Sequence, residues 1–341
     1  MPDQSAEATL KYCIDSGISA IELMGDPVND WARKKGKWDS SPAAAAAAAA
    51  AESMRAGGRR GAGIRPPGGP SRQAPSYAPV AGMKTGWGND QPAGQWNGQA
   101  CPEQRPAAPA KPAGSRPPRR EPTPEQKAAV EAERKWRLGL SMDIFKELRK
   151  LYNDAGVSIY AVKDVRQETE EDLEYTFTVA RALGASHVTI ELPSGPDAAA
   201  MLKRLGDAAL KHKMFVAYHT HAQGSMTAFD EAFSISKGNM ANIDLGHFLA
   251  NPDAGGTPMD FLKKFHARTS SFHIKDRTTV NHCALNLPWG HGETPIKEIL
   301  QLVSKNRWRI PATIELEYTI PEGSDAVKEV ARCLEYCRKV L

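Results

Sequence analysis

The chain has 341 residues, 41% of them hydrophobic and 25% charged, the balance of a globular protein with room for one barrel-sized domain or two smaller ones. No apolar run approaches the ~20 residues of a membrane span, and the opening Met1-Pro2-Asp3-Gln4-Ser5 lacks the basic start and apolar core of a signal peptide. A cytoplasmic chain is therefore expected unless a leader precedes it. The net charge of +4 is unevenly spread: residues 53–120 carry eleven Lys or Arg against two acids, which leaves the remainder at −5 and argues against a nucleic-acid-binding body.

Residues Ala6–Ser16 have the pattern of an amphipathic helix, and Gly17–Met24 follows as a strand. From about Gly36 to Thr123 the composition changes to a run of nine alanines (Ala43–Ala51) and then repeated Gly, Pro, Arg and Gln. Such a stretch cannot bury enough surface to offset chain entropy, so residues 36–123 read as a disordered, low-complexity insertion. It divides residues 1–35, the first part of the fold, from residues 124–341. Helix is expected over Glu125–Leu151, then a strand at Val157–Val162 and a helix at Thr169–Leu183 stopped by Gly184. The alternation continues with strand His187–Leu192, helix Asp197–His212, strand Met214–His219 and helix Ala228–Ser236. Next come strand Ala241–Leu245, helix Pro258–Arg268, strand Ser270–Ile274, helix Pro295–Asn306, strand Ala312–Leu316 and a closing helix Ser324–Leu341.

Seven strands alternating with helices imply a parallel sheet with right-handed crossovers. Without the insertion roughly 250 residues remain, the usual size of a (β/α)8 barrel. The fold class expected is therefore α/β, a TIM barrel whose first strand is missing from this chain. The absence of any G-x-G-x-x-G or phosphate-binding loop weighs against an open doubly wound sheet. The five cysteines (Cys13, Cys101, Cys283, Cys333 and Cys337) include no C-x-x-C pair and read as reduced core thiols.

Four stretches combine apolar strand residues with groups that are expensive to bury: Val188-Thr189-Ile190-Glu191, Asn242-Ile243-Asp244-Leu245-Gly246-His247, Ser271-Phe272-His273-Ile274-Lys275-Asp276 and Ala312-Thr313-Ile314-Glu315-Leu316-Glu317. At the C-terminal ends of barrel strands such groups lie on the catalytic face. Taken one at a time, a capping carboxylate or a satisfied core histidine explains each. Together, Glu191, Asp244, His273 and Glu315 supply three oxygen ligands and one imidazole, a set suited to Mn²⁺, Mg²⁺, Co²⁺ or Zn²⁺ with positions open to substrate oxygens. Structural zinc sites close instead with cysteine. Gly246 is expected to turn the chain so that Asp244 and His247 reach one pocket. Glu315 and Glu317 point to the same side of their strand, with Glu315 the deeper. Lys275 has a simpler reading as a partner of Asp276 or Glu293.

With these motifs the chain resembles the xylose-isomerase-like TIM-barrel superfamily, the sugar phosphate isomerases/epimerases, over residues 6 to about 22 and 124–341. Relatives include ketose 3-epimerases, hydroxypyruvate isomerase and inosose dehydratase. The resemblance implies metal held by Glu191, Asp244, His273 and Glu315. It also implies substrate contacts from His219 and His221 of Tyr218-His219-Thr220-His221, from His247, Lys275 and Arg277, and from the Leu287–Glu293 loop with Trp289; Glu22 completes the set. The implied reaction removes a proton beside a sugar carbonyl and returns it through an enediolate, with Glu191 and Glu315 as the exchanging bases. The expected partner is a small sugar or cyclitol, with no nucleic acid or membrane; a homo-oligomer is compatible. Competing readings are a dehydratase or keto-glycoside lyase using the same first step, and a catalytically impaired barrel lacking its first strand. An endonuclease IV-like repair enzyme is disfavoured because residues 157–162 hold no His and no Asp-x-His follows His273.

Overall fold

The computed structural model describes residues 3–38, 44, 93–96, 99–101 and 123–341. Seven parallel strands form one sheet: β1 (Ala20–Met24), β2 (Ser158–Lys163), β3 (His187–Glu191), β4 (Phe215–His219), β5 (Asn239–Asp244), β6 (Thr269–Ile274) and β7 (Ala312–Ile314). Their order in the sheet is their order in the chain, with β1 and β7 at its two edges. The sheet is an almost closed barrel. Glu22 of β1 reaches His273 of β6, and the Tyr160 hydroxyl of β2 meets the Thr313 hydroxyl of β7 at 2.5 Å.

The helices cover the outside of this sheet. They are α1 (Ala6–Ser16), α2 (Gly25–Lys35), α3 (Pro124–Leu138), α4 (Asp143–Asp154), α5 (Glu170–Leu183), α6 (Ala198–Lys211), α7 (Asp230–Ile235), α8 (Leu245–Leu249), α9 (Pro258–Phe265), α10 (Ile296–Lys305) and α11 (Ala326–Val340). Local chemistry sets their ends. Ser5 caps α1 and left-handed Gly17 (φ 78°) stops it; Thr169 caps α5 and Gly184 (φ 87°) stops it. The closing helix α11 packs on α1, joining the two ends of the described barrel. No helix among the described residues is long and apolar enough to cross a membrane.

Some expectations change, and a segment that carried none proves helical. The helix over Glu125–Leu151 is two helices, because Gly139 ends α3 and the Ser141 side chain accepts from the Asp143 amide to start α4. Residues after Met24 continue directly into α2, whose Pro27 sits in the first turn where a missing N–H costs nothing; Trp31 Nε1 donates to the Ile144 carbonyl at 2.8 Å. Most of residues 36–123 lie outside the described set, but 93–96 and 99–101 do not behave as a solvated coil. Gln95–Trp96 pairs antiparallel with Gln99–Ala100, and Trp96 is buried with Cys101, Cys283, Leu285 and Leu287 in a second small core. There Cys101 and Cys283 form a disulfide across 182 residues of sequence, with Cα atoms 5.1 Å apart, so these two are not the reduced thiols expected. Cys13, Cys333 and Cys337 are free.

Candidate functional site

Strand register brings the polar groups to one end of the barrel. Glu191 lies beside His219, His219 beside Asn242, and Asp244 beside His273; the Glu315 amide continues the ladder by donating to the Ile274 carbonyl at 2.9 Å. Two groups of potential ligands result, each with donor atoms within 4.8 Å of one another: His219, Asp244, His273 and Glu315, and, on the flank, Glu191, His219 and His221. His219, expected to meet substrate, is therefore the residue common to both groups. Glu191 stands apart from the deep group, with Lys163 Nζ 2.9 Å from one oxygen and His221 Nδ1 3.3 Å from the other.

His273 is clamped by carboxylates on both sides. Its Nε2 donates to Glu22 at 2.7 Å and its Nδ1 to Glu315 at 2.6 Å. Burial alone would favour the neutral ring, but these two bonds outweigh it and raise its pKa to about 9. Reciprocally, burial opposes ionisation of Glu22, yet the His273 ring and the Thr189 hydroxyl hold it down at about 2. Glu315 is likewise driven below the carboxylate range, since the His273 bond and the Lys275 charge exceed its desolvation. Glu22 is thus a buried orienting group beneath His273, with Asn242 Nδ2 3.4 Å from it.

Lys275 does not pair with Asp276 or Glu293. Its ammonium, on a side chain 2% exposed, lies 2.9 Å from Asp244, 3.1 Å from Glu315 and 2.8 Å from Glu317. Desolvation lowers its pKa, but the three carboxylates win and raise it. Asp244, fully buried, is pushed upward by desolvation and by neighbouring Glu315 despite Lys275. Glu317 is a site residue that the depth argument subordinated: it reaches both Lys275 and, at 3.7 Å, His247 Nε2. Period-2 alternation carried that signal.

The remaining expected residues surround this centre. His247 follows Asp244 as hoped, its amide donating to Asp244 Oδ1 at 2.7 Å. Gly246 serves a different purpose from the sharp turn anticipated. A Cβ there would fall 2.3 Å from Lys275 Cγ, so the missing side chain makes room for the lysine stem. Arg277 donates to His247 Nδ1 at 2.8 Å and to the Ala284 carbonyl at 2.7 Å. Asp276 instead accepts amides from Gly290 (2.8 Å), Gly292 (2.9 Å) and Thr294 (3.2 Å), and so fixes the Gly-x-Gly loop. Gly292 is required there because a Cβ would lie 2.2 Å from Asp276 Oδ1. Trp289 packs edge-on against Tyr336 of α11, in the body of the protein.

The donor set fits a divalent cation. Burial keeps His219 and His247 neutral, with pKa values depressed to about 3 and about 2; the His219 ring retains a free lone pair, while that of His247 is taken by Arg277. His219 Nδ1 is buried without a hydrogen bond, whereas His247 accepts from Arg277 at Nδ1 and so carries its proton on Nε2, and Asp244 Oδ2 faces the Lys275 ammonium. An unpaired buried nitrogen such as His219 Nδ1 is costly unless something is bound. His219, Asp244, His273 and Glu315 would hold the ion; His273 would first release the proton it shares with Glu315.

This barrel, with its ring of strand-end acids and histidines, is that of the xylose isomerase-like TIM barrels. The sequence profile of that family matches residues 128–337, and the chain belongs to it. Among solved structures, a xylose isomerase domain protein from Planctomyces limnophilus is 17% identical, with 59% of this chain and 82% of that one covered and a TM-score of 0.47. A sugar phosphate isomerase/epimerase from Parabacteroides distasonis is 16% identical over 56% and 76%, with a TM-score of 0.44. A xylose isomerase-like TIM barrel protein from Mycobacterium smegmatis, in complex with magnesium, is 18% identical over 60% and 79%, also with a TM-score of 0.44. No curated protein matches the chain.

Proposed function

We propose that this protein is a divalent-metal-dependent sugar isomerase or epimerase that abstracts a proton beside a carbonyl and passes through an enediolate. The observation that carries the reading is the deep donor set of His219, Asp244, His273 and Glu315, whose ligand atoms lie within 4.8 Å of one another and in which His219 Nδ1 is buried without a hydrogen bond. When bound, the cation supplies Lewis-acid polarisation of the sugar carbonyl.

The chain's own groups do the rest. Glu315 is ionised and held in position by His273 and Lys275. Glu191 ends β3, four strands away in the sheet order, and its half-exposed carboxylate can reorient toward substrate. A proton removed by one and returned by the other to the same carbon inverts that carbon; returned to the neighbouring carbon, it moves the carbonyl. Lys275, Arg277 and His247 present cationic or polar atoms to oxygens that gain charge. The site takes a small polyhydroxylated ligand, a sugar or cyclitol.

The test is metal analysis of the purified protein, followed by deuterium wash-in from D₂O across a panel of ketoses and keto-glycosides. Bound Mn²⁺, Mg²⁺, Co²⁺ or Zn²⁺ with exchange into at least one sugar is the result anticipated. A metal-free protein that exchanges none of them ends this reading.

A further inference from the structure

The described residues of the insertion, 93–96 and 99–101, are fastened to the wall of the site. Gly94 donates its amide to the Asn281 carbonyl at 2.8 Å, Cys101 donates to Gly94 at 2.8 Å, and Trp96 is buried against Leu285 and Leu287. The Cys101–Cys283 bond adds a covalent tie at a strained point. Cys283 (φ 77°) and Ala284 (φ 49°) both occupy the left-handed region, which side-chain-bearing residues avoid, and persist there only where surrounding structure over-determines them. The carbonyl of the second, Ala284, is the one that accepts from Arg277 Nη2, while Arg277 Nη1 donates to His247. Arg277 is 7% exposed, so its guanidinium has few other places to go.

We propose that the Cys101–Cys283 disulfide is a redox-dependent positioning device for Arg277. Closed, it keeps residues 283–284 in their strained turn and so holds Arg277 against His247. Opened, it lets the turn relax, withdraws the Ala284 carbonyl and frees the guanidinium. The opening is thiol–disulfide exchange with a dithiol reductant: one reductant thiolate attacks a cysteine sulfur, the second completes its own cyclic disulfide, and both cysteines leave as thiols. The bond would be closed in an oxidising compartment and open in a reducing one. The proposal rests on the functional reading only in treating Arg277 and His247 as part of the site.

The experiment uses the full chain. Unreduced protein is alkylated and mapped by peptide mass spectrometry; a linked Cys101–Cys283 peptide is anticipated, and alkylation of both cysteines overturns the proposal. Amide exchange is then compared with and without dithiothreitol, in C101S and in C101S/A284G. Opening the bond should speed at least tenfold the exchange of the Thr278 amide, which donates to the Leu285 carbonyl at 3.0 Å, and of the Leu285 amide, which donates to Thr278 Oγ1 at 2.7 Å. The Gly290 and Gly292 amides, held by Asp276, should stay as they are. In C101S/A284G glycine accepts the left-handed turn without strain, so protection returns to within about threefold of the closed protein. A cross-link acting only by restricting the unfolded chain would not be rescued in this way. Equal exchange in the open and closed forms, or no rescue by A284G, overturns the proposal. Where a sugar shows deuterium wash-in, C101S should raise its KM with little change in kcat. Where none does, the functional reading fails and the exchange arm still decides this one.

Discussion

Glu315 and Glu191 were expected to be equivalent carboxylates at the ends of two barrel strands, yet their surroundings differ. Glu315 belongs to a deep cluster, with Glu22, Asp244, His273 and Lys275, in which every charge has an opposite within 3.1 Å. Glu191 sits with His221 and Lys163 on a flank where its own side chain and that of His221 are about half exposed. A buried, densely paired cluster is preorganised and costly to disturb, because removing one member strands the others in low dielectric. A half-exposed pair is screened and adds little to stability, which leaves its carboxylate free to move. One barrel mouth thus pairs a fixed acid with a movable one.

Substitutions can break that contrast. The largest effect is anticipated for Lys275→Met, which leaves Asp244, Glu315 and Glu317 without their ammonium. Urea unfolding of the metal-free protein should show a loss of about 3–5 kcal/mol, much of it restored by saturating Mn²⁺. Unchanged stability would show that Lys275 does not neutralise the cluster. Next comes His187, at the start of β3 below both clusters, with Nε2 3.0 Å from the Ser271 hydroxyl. Burial depresses its pKa from 6.5 to about 4. The unfolded chain binds this proton below pH 6.5 and the folded one only near pH 4, so stability present above 6.5 drains away as pH falls between those values. The difference between wild type and His187→Gln over that window should reach roughly 3 kcal/mol, and parallel pH profiles would refute it. Glu22→Gln weakens the orientation of His273, and calorimetric titration should show Mn²⁺ affinity lowered by about 10–100-fold. The smallest stability change belongs to Glu191→Gln, within about 0.5 kcal/mol of wild type. Its deuterium wash-in should nevertheless fall below detection; full exchange would remove Glu191 from the mechanism.

Where the determinants were local, the sequence was readable. Helix α1 matches its anticipated limits because Ser5 and Gly17 bound it, and α5 does so because Thr169 and Gly184 do. The single helix drawn over residues 125–151 ignored Gly139, whose cost in a helix interior was visible in advance. Asp244, His273 and Glu315 of the deep group can be picked out from strand-end chemistry, but His219 enters the sequence reading only as a substrate contact implied by resemblance, and the partners of all four are not legible. That Lys275 would face three carboxylates, or that Glu22 would lie beneath His273 from 251 residues away, follows from closing the sheet and not from any spacing along it. The disulfide escaped for a similar reason. Cys101 lies in a stretch whose composition argued for no structure at all, and its partner is 182 residues distant.

The clamp where the insertion leaves and rejoins the barrel has a consequence for how the chain tolerates it. Trp136 on α3 donates its indole N–H to the Gly36 carbonyl at 3.1 Å, and its ring meets that of Trp38 with centroids 4.9 Å apart. Arg134 and Arg137 of the same helix fasten it to buried Asp172 of α5. The two sides of the insertion are therefore held together by barrel residues, as if by a neck. For a connection whose ends are pinned in this way, the cost of closure grows only logarithmically with the number of residues between them. The neck makes length there nearly neutral, so additions and deletions that spare Trp96 and Cys101 can accumulate while the strand-end centre stays in place.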